Sequence, residues 1–96
     1  MSANELRLWQ DFDVAEARLK ASSEQVETYR TRILPKAEEA LKLVRGGFEA
    51  GKFGFLDLVD TQRTLAEARL AYLDKLLDLN QALTDLEALA GTQTKE

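Results

Sequence analysis

The segment from residue 47 to residue 55 is where this chain has to fold back, because the residues on both sides of it carry a helical repeat. Before it, Leu8, Phe12, Ala15, Leu19, Ser22, Val26, Tyr29, Ile33, Ala37, Ala40, Val44 and Phe48 follow one another in steps of three and four. After it, Leu58, Leu65, Ala68, Tyr72, Leu76, Leu79, Leu83, Leu86 and Ala90 form a second apolar line with the same spacing. The first line predicts a helix over residues 4–46, about 65 Å long at 1.5 Å per residue. That is too long for the core of a compact 96-residue globule, so the spacing predicts rod-like, coiled-coil-like packing. The second predicts a helix over 56–90, ending at Gly91, with a fraying tail over 91–96. The fold class expected is therefore all-α: a single helical hairpin over 1–96, with its tip at 47–55.

The turn chemistry agrees with that placement. Gly46 and Gly47 soften the end of the first helix, at about 1 kcal/mol each relative to alanine. Gly51 suits a left-handed residue that closes it. Gly54 falls at the N-cap position of the second helix, three residues before Asp57, the spacing of a capping box. Asp57 and Asp60 sit near the positive end of that helix's dipole. On either side of Gly54, however, stand Phe53, Phe55 and Leu56. A turn that only reverses the chain is more often polar, so these side chains suggest a contact surface.

Two further features bear on packing. Pro35, the single proline, lies inside the first helix. It cannot donate to the carbonyl of Thr31, and its ring crowds that carbonyl at about 3 kcal/mol in a regular helix. The apolar phase continues across it with no polar linker, which favours a kink over a second helix opening at Pro35. The second helix also carries an extra apolar row, Val59, Ala66, Leu70, Leu73 and Leu77, displaced from the first. A hairpin needs one stripe per helix. The extra stripe predicts a second neighbour, so the isolated chain is expected to self-associate, most simply as a dimeric four-helix bundle.

Composition narrows the function. The chain has no cysteine and no histidine, which removes thiolate and imidazole chemistry and most zinc sites. No cofactor and no metal site are expected within it. A formal charge of −4 argues against nucleic acid, whose binding rests on neutralising phosphates. No stretch approaches ~18 uninterrupted apolar residues, so none is expected to contact the bilayer as a spanning helix. The start, Met-Ser-Ala-Asn-Glu, lacks the basic and apolar regions of a secretory signal.

With the tip, its flanks and the double stripe in view, the chain resembles the C-terminal helical hairpin of the TolC-like outer-membrane efflux proteins, nearest the heavy-metal (CzcC and CusC) branch. The likeness is carried by Tyr-Arg-Thr-Arg-Ile-Leu-Pro over 29–35 and Phe-Glu-Ala-Gly over 48–51. It continues in Phe-Leu-Asp-Leu-Val-Asp-Thr-Gln-Arg over 55–63, Tyr72-Leu73, and the ending from Asn80 to Gly91. The resemblance implies a homotrimeric parent with a β-barrel in the outer membrane and an α-helical tunnel in the periplasm. It places Gly51, Lys52, Phe53, Gly54, Phe55 and Leu56 at the tunnel's inner end, where the family meets a periplasmic adaptor (membrane fusion) protein. The family also uses strands, a second hairpin and an export signal, so the chain is expected to be a piece that binds but does not conduct alone. Family members often have Ser or Thr where this chain has Gly54, and Tyr where it has Phe48.

Competing readings attach to the same residues. Phe53, Phe55 and Leu56 can instead cap the hairpin's own core, although three side chains in so short a turn do not all fit inward. Asp57 and Asp60 share a helix face; they either serve the dipole or, repeated around a ring of protomers, form an acidic gate favouring cations. A generic antiparallel coiled-coil module shares the fold and differs in what the tip binds. An enzyme of the chorismate-mutase-like helical type needs cations converging on the interior. Here Arg18, Lys20, Arg30, Arg32, Lys42, Arg45, Arg63 and Arg69 mostly lie off the apolar lines, so no enzyme is expected.

Overall fold

The computed structural model describes residues 2–94, with side chains through residue 91. The chain is all-α, and no strand forms among the described residues. Helix α1 spans Ala3–Thr28, a π-helical turn follows at Tyr29–Ile33, α2 spans Leu34–Glu49, and α3 spans Phe55–Thr94. One reversal, residues 50–54, joins the two helical runs into an antiparallel hairpin. At the start, the Ser2 hydroxyl accepts the Glu5 N–H at 3.2 Å, a side-chain cap on α1.

Contacts group the chain into two units, residues 1–26 with 75–96 and residues 27–74. In the first, α1 up to Val26 pairs with α3 from Lys75. Its buried positions are Ala15, Ser22 and Val26 on α1 and Ala82 on α3. Three of these four are small, which lets two helix backbones approach closely. Arg18 Nη1 meets Asp85 Oδ2 at 3.0 Å, an exposed pair that contributes little. Leu19, Leu79, Leu83 and Leu86 line a shallow groove of this unit, with Glu16 and Lys20 at its rim.

The second unit holds the π-turn, α2, the reversal and α3 as far as Asp74. Leu65 is its most buried side chain. Tyr29, Ile33, Ala37, Leu41 and Val44 turn inward on the first run, and Leu58, Ala68 and Tyr72 on the second. Arg30 donates to both Glu27 carboxylate oxygens at 3.0 and 2.8 Å. That contact raises the guanidinium's pKa further above its ordinary value, first through the hydrogen bond and then through the charge.

The irregularity expected at Pro35 takes the form of a π-turn immediately before it. The Leu34 N–H reaches back five residues to the Tyr29 carbonyl, and the run stays helical through Ile33 (φ −69°, ψ −51°). Regular α geometry would crowd the carbonyl four residues before a proline ring, and a widened turn is a local departure from that geometry. No second helix with its own side-chain cap begins here.

The expected seam is corrected at several positions. Ala40 is exposed and Leu41 takes the inward position; at the end of α2, Gly47 faces inward and Phe48 is 38% exposed. On α3, Ala82 is fully buried, while Leu83, 39% exposed, lines the groove with Leu19. The helix bounds move as well. The first run reaches Glu49 rather than residue 46, and α3 opens at Phe55. It passes through Gly91 to Thr94 instead of ending at the glycine; residues 95 and 96 of the expected tail lie outside the described residues.

The hairpin tip as candidate functional site

The end of α2 is closed by a complete Schellman motif. Ala50 caps the helix (φ −83°, ψ −1°), and Gly51 follows at φ 78°, the left-handed conformation that glycine adopts without a Cβ penalty. The Lys52 N–H donates to the Gly47 carbonyl at 2.7 Å and the Gly51 N–H to the Phe48 carbonyl at 3.0 Å, the paired bonds that define the motif. The Phe53 N–H adds a longer bond to the same Gly47 carbonyl at 3.3 Å. Three consecutive N–H groups, of Gly51, Lys52 and Phe53, are thus tied to the last turn of α2.

The start of α3 is closed from the other side. The Asp57 carboxylate Oδ2 accepts the Gly54 N–H at 3.0 Å, the reach-back half of a capping box with glycine at the cap. The hydroxyls of Thr61 and Thr64 donate to the Asp57 and Asp60 carbonyls at 2.8 and 3.0 Å. Asp57 therefore holds the turn as well as serving the dipole, and Asp60 lies exposed one turn further on.

Between these two closures the hydrophobic side chains stand in solvent. Phe53 is 45% exposed, Phe55 64% and Leu56 76%. None is sealed in a core, yet two are seated. The Phe55 ring lies 6.2 Å from the Phe48 ring at 57°, within the range of favourable aromatic pairs. The Phe53 ring lies across Gly47, where an added Cβ would overlap ring atoms Cδ2 and Cε2. Leu56 rests on neither ring pair and is the most exposed of the three. The expected tip residues Gly51 to Leu56 are thus brought together on one short reversal, with Lys52 exposed among them.

Two participants escaped the sequence reading. Phe48 had been assigned to the seam, whereas it supports Phe55. Gly47 had been read as a softener of the helix end, whereas it makes room for Phe53. The hydrophobic contact of a Schellman motif involves the residue at C″, here Lys52, so that rule does not point to Phe53 or Phe48.

Elsewhere, the chemistry of the chain is sparse. Among the described residues no group of three or more acidic, histidine or cysteine side chains converges to hold a metal ion, and no helix is long and apolar enough to cross a membrane. Arg18, Lys20, Arg30, Arg32, Lys42, Arg45, Arg63 and Arg69 are all exposed, so these cations do not converge on an interior site.

Comparison with known proteins found a family and a relative. The family model described as "Outer membrane efflux protein" matches residues 1–92. The chain is 39% identical over 89 residues to the cobalt-zinc-cadmium resistance protein CzcC of Cupriavidus metallidurans; the match covers 93% of this chain and 21% of that protein. It thus spans about a fifth of the length of the curated relative it matches. No solved structure is a significant match. The matched family is one of efflux proteins, not of enzymes.

Proposed function

Because the chain belongs to the outer membrane efflux protein family, we propose that it is a tunnel-forming helical hairpin of an efflux channel whose tip docks a periplasmic adaptor protein. One observation carries the reading. Phe53, Phe55 and Leu56 stand exposed on a reversal that is locked from both sides, by the Schellman bonds to Gly47 and Phe48 and by the Asp57 cap. A surface already fixed in shape loses little conformational entropy on binding, and aromatic side chains at the centre of a contact supply most of its affinity. The parent is a trimer with this segment in the periplasm, and its cargo is of the heavy-metal cation class, as the relative's name suggests.

The docking reading is tested with Phe53→Asp and Leu56→Asp together. A purified adaptor from a CzcC-type efflux system serves as probe, with binding followed by calorimetry. Binding should disappear while helical content by circular dichroism stays near that of the parent chain. Retained binding in the double variant would reject the tip as the contact.

A second proposal concerns the acids. Asp57 is committed to the Gly54 N–H, so an acidic gate formed around a ring of protomers rests mainly on Asp60. In the channel-forming parent, Asp60→Asn should lower the preference for cations over anions in planar-bilayer conductance. An unchanged preference would leave Asp60 a helix-dipole residue.

A further inference from the structure

We infer that Gly47 is a positioning residue of the docking tip: its missing side chain is the seat of the Phe53 ring, and this seat sets the shape offered to the partner. The inference rests on the docking reading for its purpose, but the seat itself is observed independently of any partner. A Cβ at Gly47 would overlap ring carbons Cδ2 and Cε2 and come within 3.2 Å of Cγ. The neighbouring Gly46 has nothing within 4 Å of the same construction. Two adjacent glycines in the same helical turn therefore differ in kind. One could carry a side chain freely, and the other is occupied by an aromatic ring.

The backbone makes the seat directional. The Gly47 carbonyl accepts both the Lys52 and the Phe53 N–H, at 2.7 and 3.3 Å, so the residue that receives the ring also anchors the main chain from which the ring projects. With the ring on Gly47 and Phe55 on Phe48 at 6.2 Å, consecutive residues of α2 support the two aromatic side chains of the tip. Leu56 is left as the freely presented group. A methyl at Gly47 would meet the ring of a half-exposed side chain, not backbone. The ring would swing away while the Schellman bonds and the helix remain. The position thus controls tip shape separately from fold.

The experiment uses the 96-residue chain, the CzcC-type adaptor as probe, and the variants Gly47→Ala, Gly46→Ala and Phe53→Ala. In the parent chain the Gly47 Hα protons should resonate upfield, shielded by the ring, and should return to ordinary values in Phe53→Ala. Gly47→Ala should break the nuclear Overhauser contacts between residue 47 and the Phe53 ring and weaken adaptor binding about tenfold, the scale of one misplaced aromatic anchor. Gly46→Ala should leave both readouts unchanged. In a Phe53→Ala background, Gly47→Ala should weaken binding no further, because the two changes remove the same interaction. Absence of ring shielding at Gly47, or unaltered binding in Gly47→Ala, overturns the inference. Ring shielding in a chain that binds no adaptor upholds the seat and sinks the docking reading, so the two failures are told apart.

Discussion

Gly46 and Gly51 are glycines five residues apart with opposite reasons for being there. Gly51 stands at φ 78°, where a side chain strains the backbone by about 1–2 kcal/mol. Gly46 is helical, with open space where its Cβ would stand, and forfeits about 1 kcal/mol of helix propensity. Gly51→Ala is therefore expected to lower the unfolding free energy from urea titration by that amount and Gly46→Ala to raise it. Equal effects of one sign would remove the distinction. Gly51 was legible in the sequence because a left-handed closing residue follows from local chemistry alone. So was the Gly54–Asp57 cap, since its spacing is fixed by the first turn of a helix. The roles of Gly47 and Phe48 were not legible, because they depend on where rings five to seven residues later come to rest. Neither a propensity nor a repeat encodes that.

At the scale of the elements, the apolar repeat located both helical runs and failed in phase at identifiable points. Ala82, off the expected line, is fully buried while Leu83 lines the groove with Leu19, because a small side chain fits where two helices meet closely. Leu41 replaces Ala40 as the larger of two adjacent apolar side chains, while Ala37 and Val44 on either side keep the expected phase. Gly91 did not end α3, since a glycine stops a helix only where the chain takes up a capping conformation. The π-turn leads to a prediction about Pro35. Proline in a regular helix interior costs about 3 kcal/mol, through a lost bond and a ring clash. Here the turn before Pro35 is already widened, which eases the crowding of a regular helix. Pro35→Ala should therefore stabilise the chain by well under ~3 kcal/mol in urea unfolding, with unchanged helical content. Recovery of the whole amount would mean that the π-turn gives the proline no relief.

For the whole molecule, the decisive feature is apolar surface left over when each helix has met its partner. On α3, Leu70 is 68% exposed, Leu73 55% and Leu77 66%, and the smaller Ala66 is exposed as well. The steps of four, three and four place them on one face of one helix. Large contiguous apolar faces on soluble chains mark interaction surfaces, and a channel wall built from neighbouring hairpins would cover such a face. A chain studied by itself lacks those neighbours. The same burial is then available through other copies, most simply as a four-helix dimer. Sedimentation equilibrium should therefore find the chain associated at high concentration. Leu70→Gln with Leu73→Gln should shift it toward monomer, with a lower thermal midpoint because two helices alone bury little surface. The tip lies on a different part of the chain, so adaptor binding per chain should survive the pair of substitutions. A parent chain that sediments as a clean monomer at high concentration would show that the leucine face contributes no association, and the case for a second neighbour would fall with it.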